Sequence, residues 1–123
     1  MSLKVRKSKA PPPPSCPLSA CMTLLAGAWT PNIVWALSGG PRRFGELRTD
    51  LPVISAKVLT ARLRELEENG VVTRTVMPTS SPSVEYALTD LGEELQPVIS
   101  AIVDVSHRLK QRGGMASVKH RAA

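Results

Sequence analysis

Apolar and polar positions alternate along this chain with a period that changes from block to block, and each change marks an element boundary. Leu18, Cys21, Met22 and Leu25 recur at helical spacing behind Pro17, a residue that suits a first helical turn. A helix is therefore predicted over 17–26, ended by Gly27. Thr30-Pro31 reads as an N-cap with proline at the first helical position, opening a second helix through Ile33, Val34 and Leu37. Ser38-Gly39-Gly40-Pro41 then breaks the chain. A short extended piece from Arg42 to Phe44 leads into a brief helix over 45–50, with Leu47 and Leu51 facing inward. Pro52 disfavours helical geometry at Leu51 and stops that helix.

The next block carries the strongest pattern. Ser55 is an N-cap for a helix reaching Asn69, where Gly70 supplies a left-handed stop. Leu59, Leu63 and Leu66 form its apolar stripe. At 100° per residue the opposite face holds Lys57, Ala61 and Arg64, with Thr60 alongside. Glu65, Glu67 and Glu68 crowd the last turns, so the helix is positive at its front and negative at its back. Residues 71–77 and 84–88 are β-rich and flank a run of turn residues, which predicts a hairpin with a six-residue loop. Thr89 caps a last helix running to about Arg112, with Asp90 at its favourable end. Its apolar positions are Leu91, Leu95, Val98, Ile102, Val105 and Leu109, spaced alternately by four and three. That is the seam of a coiled coil, against a partner helix or against its own domain, and Pro97 should kink it.

In order, a short helix, a turn and a basic helix make a helix-turn-helix, and the hairpin behind it makes a wing. The predicted fold class is mainly α with a small β-hairpin wing (α+β), a winged helix-turn-helix with terminal dimerisation helices. The predicted organisation is a basic, proline-rich disordered arm over 1–14, the winged domain over 15–112 and a flexible basic tail over 113–123.

Charge sharpens this picture. The 123 residues carry a net charge of +6, but unevenly. Residues 1–10 net +4 and residues 106–123 net +5, with no acid in either stretch. Residues 41–64 net +4, whereas 65–105 hold Arg74 against eight acids for −7. A segregated basic block inside an acidic domain points to a polyanion. Only Trp29, Trp35, Phe44 and Tyr86 are aromatic, too few for a sheet that stacks single-stranded bases. Two cysteines do not make a disulfide scaffold. No apolar run is long enough to span a membrane. The segment before Met22-Thr23-Leu24-Leu25 imitates a signal peptide, but Pro11 to Pro14, Ser15 and Pro17 stand where its apolar helix belongs. The expected location is the cytoplasm.

The text itself resembles the HxlR-type winged-helix regulators within the broader MarR-like group. The resemblance rests on Cys16-Pro17 with Trp29 thirteen residues on, and on Gly40-Pro41-Arg42-Arg43-Phe44-Gly45-Glu46-Leu47-Arg48. It continues from Ile54-Ser55-Ala56-Lys57 through Leu66-Glu67-Glu68-Asn69-Gly70 to Val84-Glu85-Tyr86-Ala87-Leu88-Thr89-Asp90-Leu91-Gly92. It covers roughly 16–109. It implies a dimeric bacterial transcription factor on double-stranded DNA, with no cofactor or metal, residues 55–69 as recognition helix and 71–88 as wing. The terminal helices, over 17–26 and 90–112, would form the dimer interface, with Leu18, Met22, Leu95, Val98, Ile102, Val105 and Leu109 as its contacts. Three departures stand out: Ala28 where the family usually has lysine, Val105 where it often has an aromatic residue, and a wing tip over 78–83 without Lys or Arg.

On this reading Lys57, Thr60, Ala61 and Arg64 line the major groove, Arg64 offering a fork to guanine and Ala61 a methyl to thymine. Arg42, Arg43, Arg48 and Arg74 grip phosphates together with the helix end at Ser55. Arg62, on the flank, and Arg64 have a plainer alternative, in which they pair with neighbouring glutamates such as Glu65 and Glu68. Cys16 is a candidate redox-sensing thiol, since a helix N-terminus favours a thiolate; the plainer alternative is a small, inert hydrophobe. Cys21 falls on the apolar stripe and belongs to the core. The sequence shows no ligand pocket; a small-molecule effector, unidentified, would have to sit between the terminal helices and the winged domain. Catalysis finds no support: His107 and His120 lack companions at metal spacing, and Gly39-Gly40 is followed by Pro41, which has no amide to offer a phosphate. The competing class is a winged helix used for protein or RNA contacts, which steep salt dependence with duplex preference would exclude.

Overall fold

The computed structural model describes Pro11, residues 16–79 and residues 83–113. The chain forms α1 (Ser19–Leu24), α2 (Thr30–Ala36), β1 (Arg42–Arg43), α3 (Phe44–Asp50), α4 (Ala56–Glu68), β2 (Val72–Met77), β3 (Ser83–Leu88), α5 (Asp90–Glu94) and α6 (Gln96–Gln111). The strands make one antiparallel sheet in the order β1-β3-β2. The fold is a winged helix-turn-helix. The expected arm over 1–14 (apart from Pro11) and the tail beyond Gly113 lie outside the described residues.

Local chemistry explains most boundaries. Ser55 Oγ accepts from the Val58 amide at 3.2 Å and so caps α4. At the other end Gly70 sits at φ +77, and the Val71 and Gly70 amides bond back to the Leu66 and Glu67 carbonyls at 2.9 and 3.0 Å. That pair of bonds is a Schellman motif, which only a residue free to adopt positive φ closes cheaply. Thr89 is both cap and stitch: its hydroxyl accepts from the Gly92 amide at 3.1 Å and donates to the Gly70 carbonyl at 2.5 Å. The return of the wing is thereby fastened to the end of α4.

The core gathers Ile33 and Val34 from α2, Leu37 just past its end, Leu47 from α3, the Leu59–Leu63–Leu66 stripe of α4, Val71, Val72, Tyr86, Leu95 and Ile99. Gly92 is buried where α5 meets the chain entering β2, and a Cβ added there would collide with the Val71 carbonyl oxygen. Helix and strand can approach this closely only because that position has no side chain.

Several expectations shift. α1 starts two residues later than predicted, because the Cys16 carbonyl takes the Ser19 amide at 3.1 Å in a tighter turn across Pro17 and Leu18. Thr30 is not the cap of α2. Trp29, at φ 72, occupies that place, and the Thr30 hydroxyl is used by the Ala26 carbonyl at 2.8 Å. The hairpin loop is one residue shorter, since Ser83 pairs with Met77. The extended piece at Arg42 is a true third strand, with Arg42 opposite Tyr86 and Arg43 opposite Glu85. The last helix is broken rather than kinked. Pro97 has no amide to donate to the Glu93 carbonyl, so the chain takes a tighter step, Leu95 N to Gly92 O at 3.1 Å, and α6 begins afresh at Gln96.

Candidate nucleic-acid interface

α4 places the expected groove residues as a stripe. Leu59, Leu63 and Leu66 are at most 1% exposed, so the helix has one rotational setting. That setting turns Lys57, Thr60 and Arg64 to solvent, with Ala61 half-buried beside them. Among the described residues, ion pairs join Arg42 to Asp50 and Arg62 to Glu65; Arg64 and Lys57 have none. The glutamates that end the helix therefore do not neutralise its front. Ser55 begins the same helix, and first-turn amides, unpaired within a helix, favour an anion there.

Around this stripe the other expected cations divide. Arg43, Arg48 and Arg74 are exposed. Arg43 precedes α3, and its amide donates to the Glu46 carboxylate at 2.8 Å, which leaves the guanidinium uninvolved in that cap. Arg74 lies on β2 directly across from Tyr86. Arg42 departs from the expectation of a free phosphate grip. Its Nε and Nη2 donate to both oxygens of Asp50 at 2.9 and 2.7 Å. Bonding to Asp50, more than the charges of Asp50 and Glu46, raises the Arg42 pKa above its ordinary value despite some desolvation. Arg62, for which two fates stood open, takes the structural one. Its Nε donates to the Ala28 carbonyl at 2.9 Å and its Nη1 lies 3.5 Å from Glu65. The Glu65 pair is the alternative that sequence offers, but the other two engagements are not visible there, because the Ala28 bond spans 34 positions and Asp50 is one acid among ten.

The terminal helices also divide. Leu18, Met22, Ile102 and Val105 are exposed at 65, 61, 49 and 43%. Val98 and Leu109 are half-buried. Leu95, expected at a dimer contact, is 3% exposed and belongs to the core of its own chain, because the break before α6 turns it inward. Ile99, absent from the expected seam, is buried with it. Cys16 is an exposed free thiol, three residues ahead of α1 rather than in its first turn, while Cys21 packs on the core. Between α2 and α6 runs a groove of about 280 Å³ lined by Trp35, Ile99, Ile102, Val103 and His107 among others, the place where an effector was expected to find room. Among the described residues no cluster of His, Cys, Asp and Glu could hold a metal ion, and no helix is long and apolar enough to cross a membrane.

Comparison with known proteins agrees with this architecture. The family model for HxlR-like helix-turn-helix proteins matches residues 24–113. The chain is 38% identical over 97 residues to YdeP, an HTH-type transcriptional regulator of Bacillus subtilis, covering 79% of this chain and 76% of YdeP. Among solved structures it is similar to the redox regulator HypR in its reduced form, with a TM-score of 0.72 at 32% identity, covering 77% of this chain and 94% of that one. It is also similar to the reduced form of the transcriptional regulator YodB from B. subtilis, with a TM-score of 0.64 at 39% identity, covering 72% and 88%.

Proposed function

We propose that this chain, which belongs to the HxlR-like helix-turn-helix family of transcriptional regulators, binds double-stranded DNA in the cytoplasm as a homodimer on a pseudo-palindromic operator. The observation that carries this reading is the α4 stripe: Lys57, Thr60 and Arg64 face solvent without acidic partners, directly behind a wholly buried leucine row. Seated in a major groove, Arg64 presents its fork to guanine, Thr60 meets either partner, and Ala61 packs on a thymine methyl. Arg43, Arg48 and Arg74 contact phosphates and set the register, which carries no sequence information by itself. The wing tip over 78–83 carries no Lys or Arg, which argues against a minor-groove role for it, and its residues 80–82 lie outside the described residues. Leu18 and Met22 of one protomer cover Ile102 and Val105 of the other, and twofold symmetry sets the two recognition helices about 34 Å apart.

The test is a titration of specific and scrambled duplexes by fluorescence anisotropy across a range of salt. Arg64→Ala should cost ~1–3 kcal/mol on the operator and relax preference at one base pair, whereas Arg48→Ala should weaken both duplexes alike and lower the salt slope by about one. Equal losses on both duplexes for Arg64→Ala would sink the base-reading assignment. An RNA or protein module would show no duplex preference at all.

One similar protein, HypR, described as a redox regulator and solved in reduced and oxidised forms, supports a second layer, in which oxidation of Cys16 changes operator affinity. The thiol is exposed, and residues 1–10 of the sequence carry four basic residues, Lys4, Arg6, Lys7 and Lys9. Reduced, peroxide-treated and Cys16→Ser proteins should give distinct binding curves; three superimposable curves end the idea.

A further inference from the structure

Arg42 and Arg43 are neighbours on one short strand, yet they meet different chemistry. Successive strand residues point to opposite faces, so one can be held while the other is free. Arg42 is held by a two-point fork on Asp50, with Nε–Oδ2 at 2.9 Å and Nη2–Oδ1 at 2.7 Å. A parallel pair of charge-assisted bonds fixes orientation as well as distance. Each partner stands at a junction. Asp50 is the last residue of α3, and the turn that follows runs directly into the Ser55 cap of α4. That turn is tied down by Leu51 N to Leu47 O at 2.9 Å and Ile54 N to Leu51 O at 3.1 Å, and has little slack. Arg42 pairs across the sheet with Tyr86 on the central strand, and Tyr86 pairs in turn with Arg74 on β2. One fork therefore joins the helix-turn-helix to the row of the sheet that carries the wing's cation.

We propose that Arg42 is a positioning residue rather than a phosphate contact: with Asp50 it clamps the end of α3 to the wing sheet, so that α4 and Arg74 meet one duplex at a fixed separation. This rests on the DNA-binding reading above and deepens it. A guanidinium whose fork is filled by a carboxylate presents no net charge to a phosphate, and moving it to DNA would strand Asp50 near the backbone of a polyanion. A fixed separation matters because groove contacts discriminate only when phosphate contacts on either side hold the register. A loosened clamp lets the module bind any duplex while reading none of them well.

The two roles predict opposite signs for Asp50→Ala. As a clamp, its loss lowers operator affinity about three- to tenfold while scrambled-duplex affinity holds or rises, so specificity falls. As a mere restraint on a phosphate contact, its loss frees Arg42 and raises affinity for both duplexes. Arg42→Lys keeps the charge but not the fork, and it should lose operator specificity as Arg42→Ala does, with the salt slope unchanged in both. The double variant Arg42→Asp/Asp50→Arg should restore part of the specificity. Thermal unfolding of each variant identifies any that fail to fold, and Arg42→Lys, the mildest change, keeps the test standing if Asp50→Ala does. The clamp is overturned if folded Asp50→Ala binds the operator as tightly as the parent, or if Arg42→Ala lowers the salt slope by about one with equal losses on both duplexes. A parent chain that binds no duplex overturns the regulator reading and the clamp with it.

Discussion

α4 and α6 are both helices with a regular apolar row, and they end in different states. On α4 the row is closed: Leu59, Leu63 and Leu66 vanish beneath α2, α3 and the sheet. On α6 it is closed only at the start, where Ile99 is buried and Val98 packs on the core, while Ile102 and Val105 stand 49 and 43% exposed farther along. A periodic row shows that a face is to be covered and leaves open by what. At 1.5 Å per residue the 16 residues of α6 run about 24 Å, and only its first turns pack on the core. The winged module thus closes its apolar row within one chain, whereas α6 leaves Ile102 and Val105 of its row uncovered in that chain.

The largest expected effect tests that contrast directly. Leu63→Ala should destabilise the chain by ~2–5 kcal/mol at any protein concentration, because it opens a cavity in a closed core. Ile102→Ala should cost an isolated chain well under ~1.5 kcal/mol, lower the midpoint chiefly at high protein concentration and flatten its dependence on concentration, as a weakened dimer does. Thermal melts of both variants over a hundredfold dilution series separate the cases. Equal, concentration-independent losses would mean that α6 is covered by its own chain.

Gly92→Ala comes next. The added carbon meets a backbone carbonyl, which cannot swing aside as a side-chain tip can. Overpacking of this kind costs ~1–3 kcal/mol, although alanine is the better helix former, so a stabilised variant would refute the close approach of α5 to Val71.

These contrasts also show what a sequence exposes. The α4 stripe, its Ser55 cap, the Gly70 stop and the hairpin are legible because each depends on residues within one turn or one tight loop of each other. The break ahead of α6 is half legible: Pro97 announces an interruption, but the missing bond lies four residues earlier, at Glu93, and the chain re-forms around that gap. For the interface, the outward set of Lys57, Thr60 and Arg64 follows from phase alone. The fate of Arg42 does not, because choosing Asp50 over solvent depends on β1 lying beside the end of α3. Leu95 departs for a related reason: its spacing fits a regular seam only in a continuous helix, and the chain breaks between α5 and α6, where Leu95 is buried in the core.

The smallest effect separates two bonds made by one side chain. Arg62 lies 3.5 Å from Glu65, whose side chain is 52% exposed, and donates at 2.9 Å to the Ala28 carbonyl. A surface pair of that length, one turn apart, is worth ~0.2–0.5 kcal/mol and fades in salt, so Glu65→Ala should barely shift the midpoint. Arg62→Ala should cost nearer ~1–2 kcal/mol, because it also frees the turn over Gly27 and Trp29, both held at positive φ, against which the arginine stem packs. The salt dependence decides which bond matters. If the Arg62→Ala loss disappears at high salt together with the Glu65→Ala loss, the ion pair carried both, and the turn joining α1 to α2 does not need α4 to hold it. If the larger loss persists, α4 anchors the entry to the terminal helices through a neutral carbonyl, and the same helix that turns Arg64 to solvent holds its own domain together with Arg62.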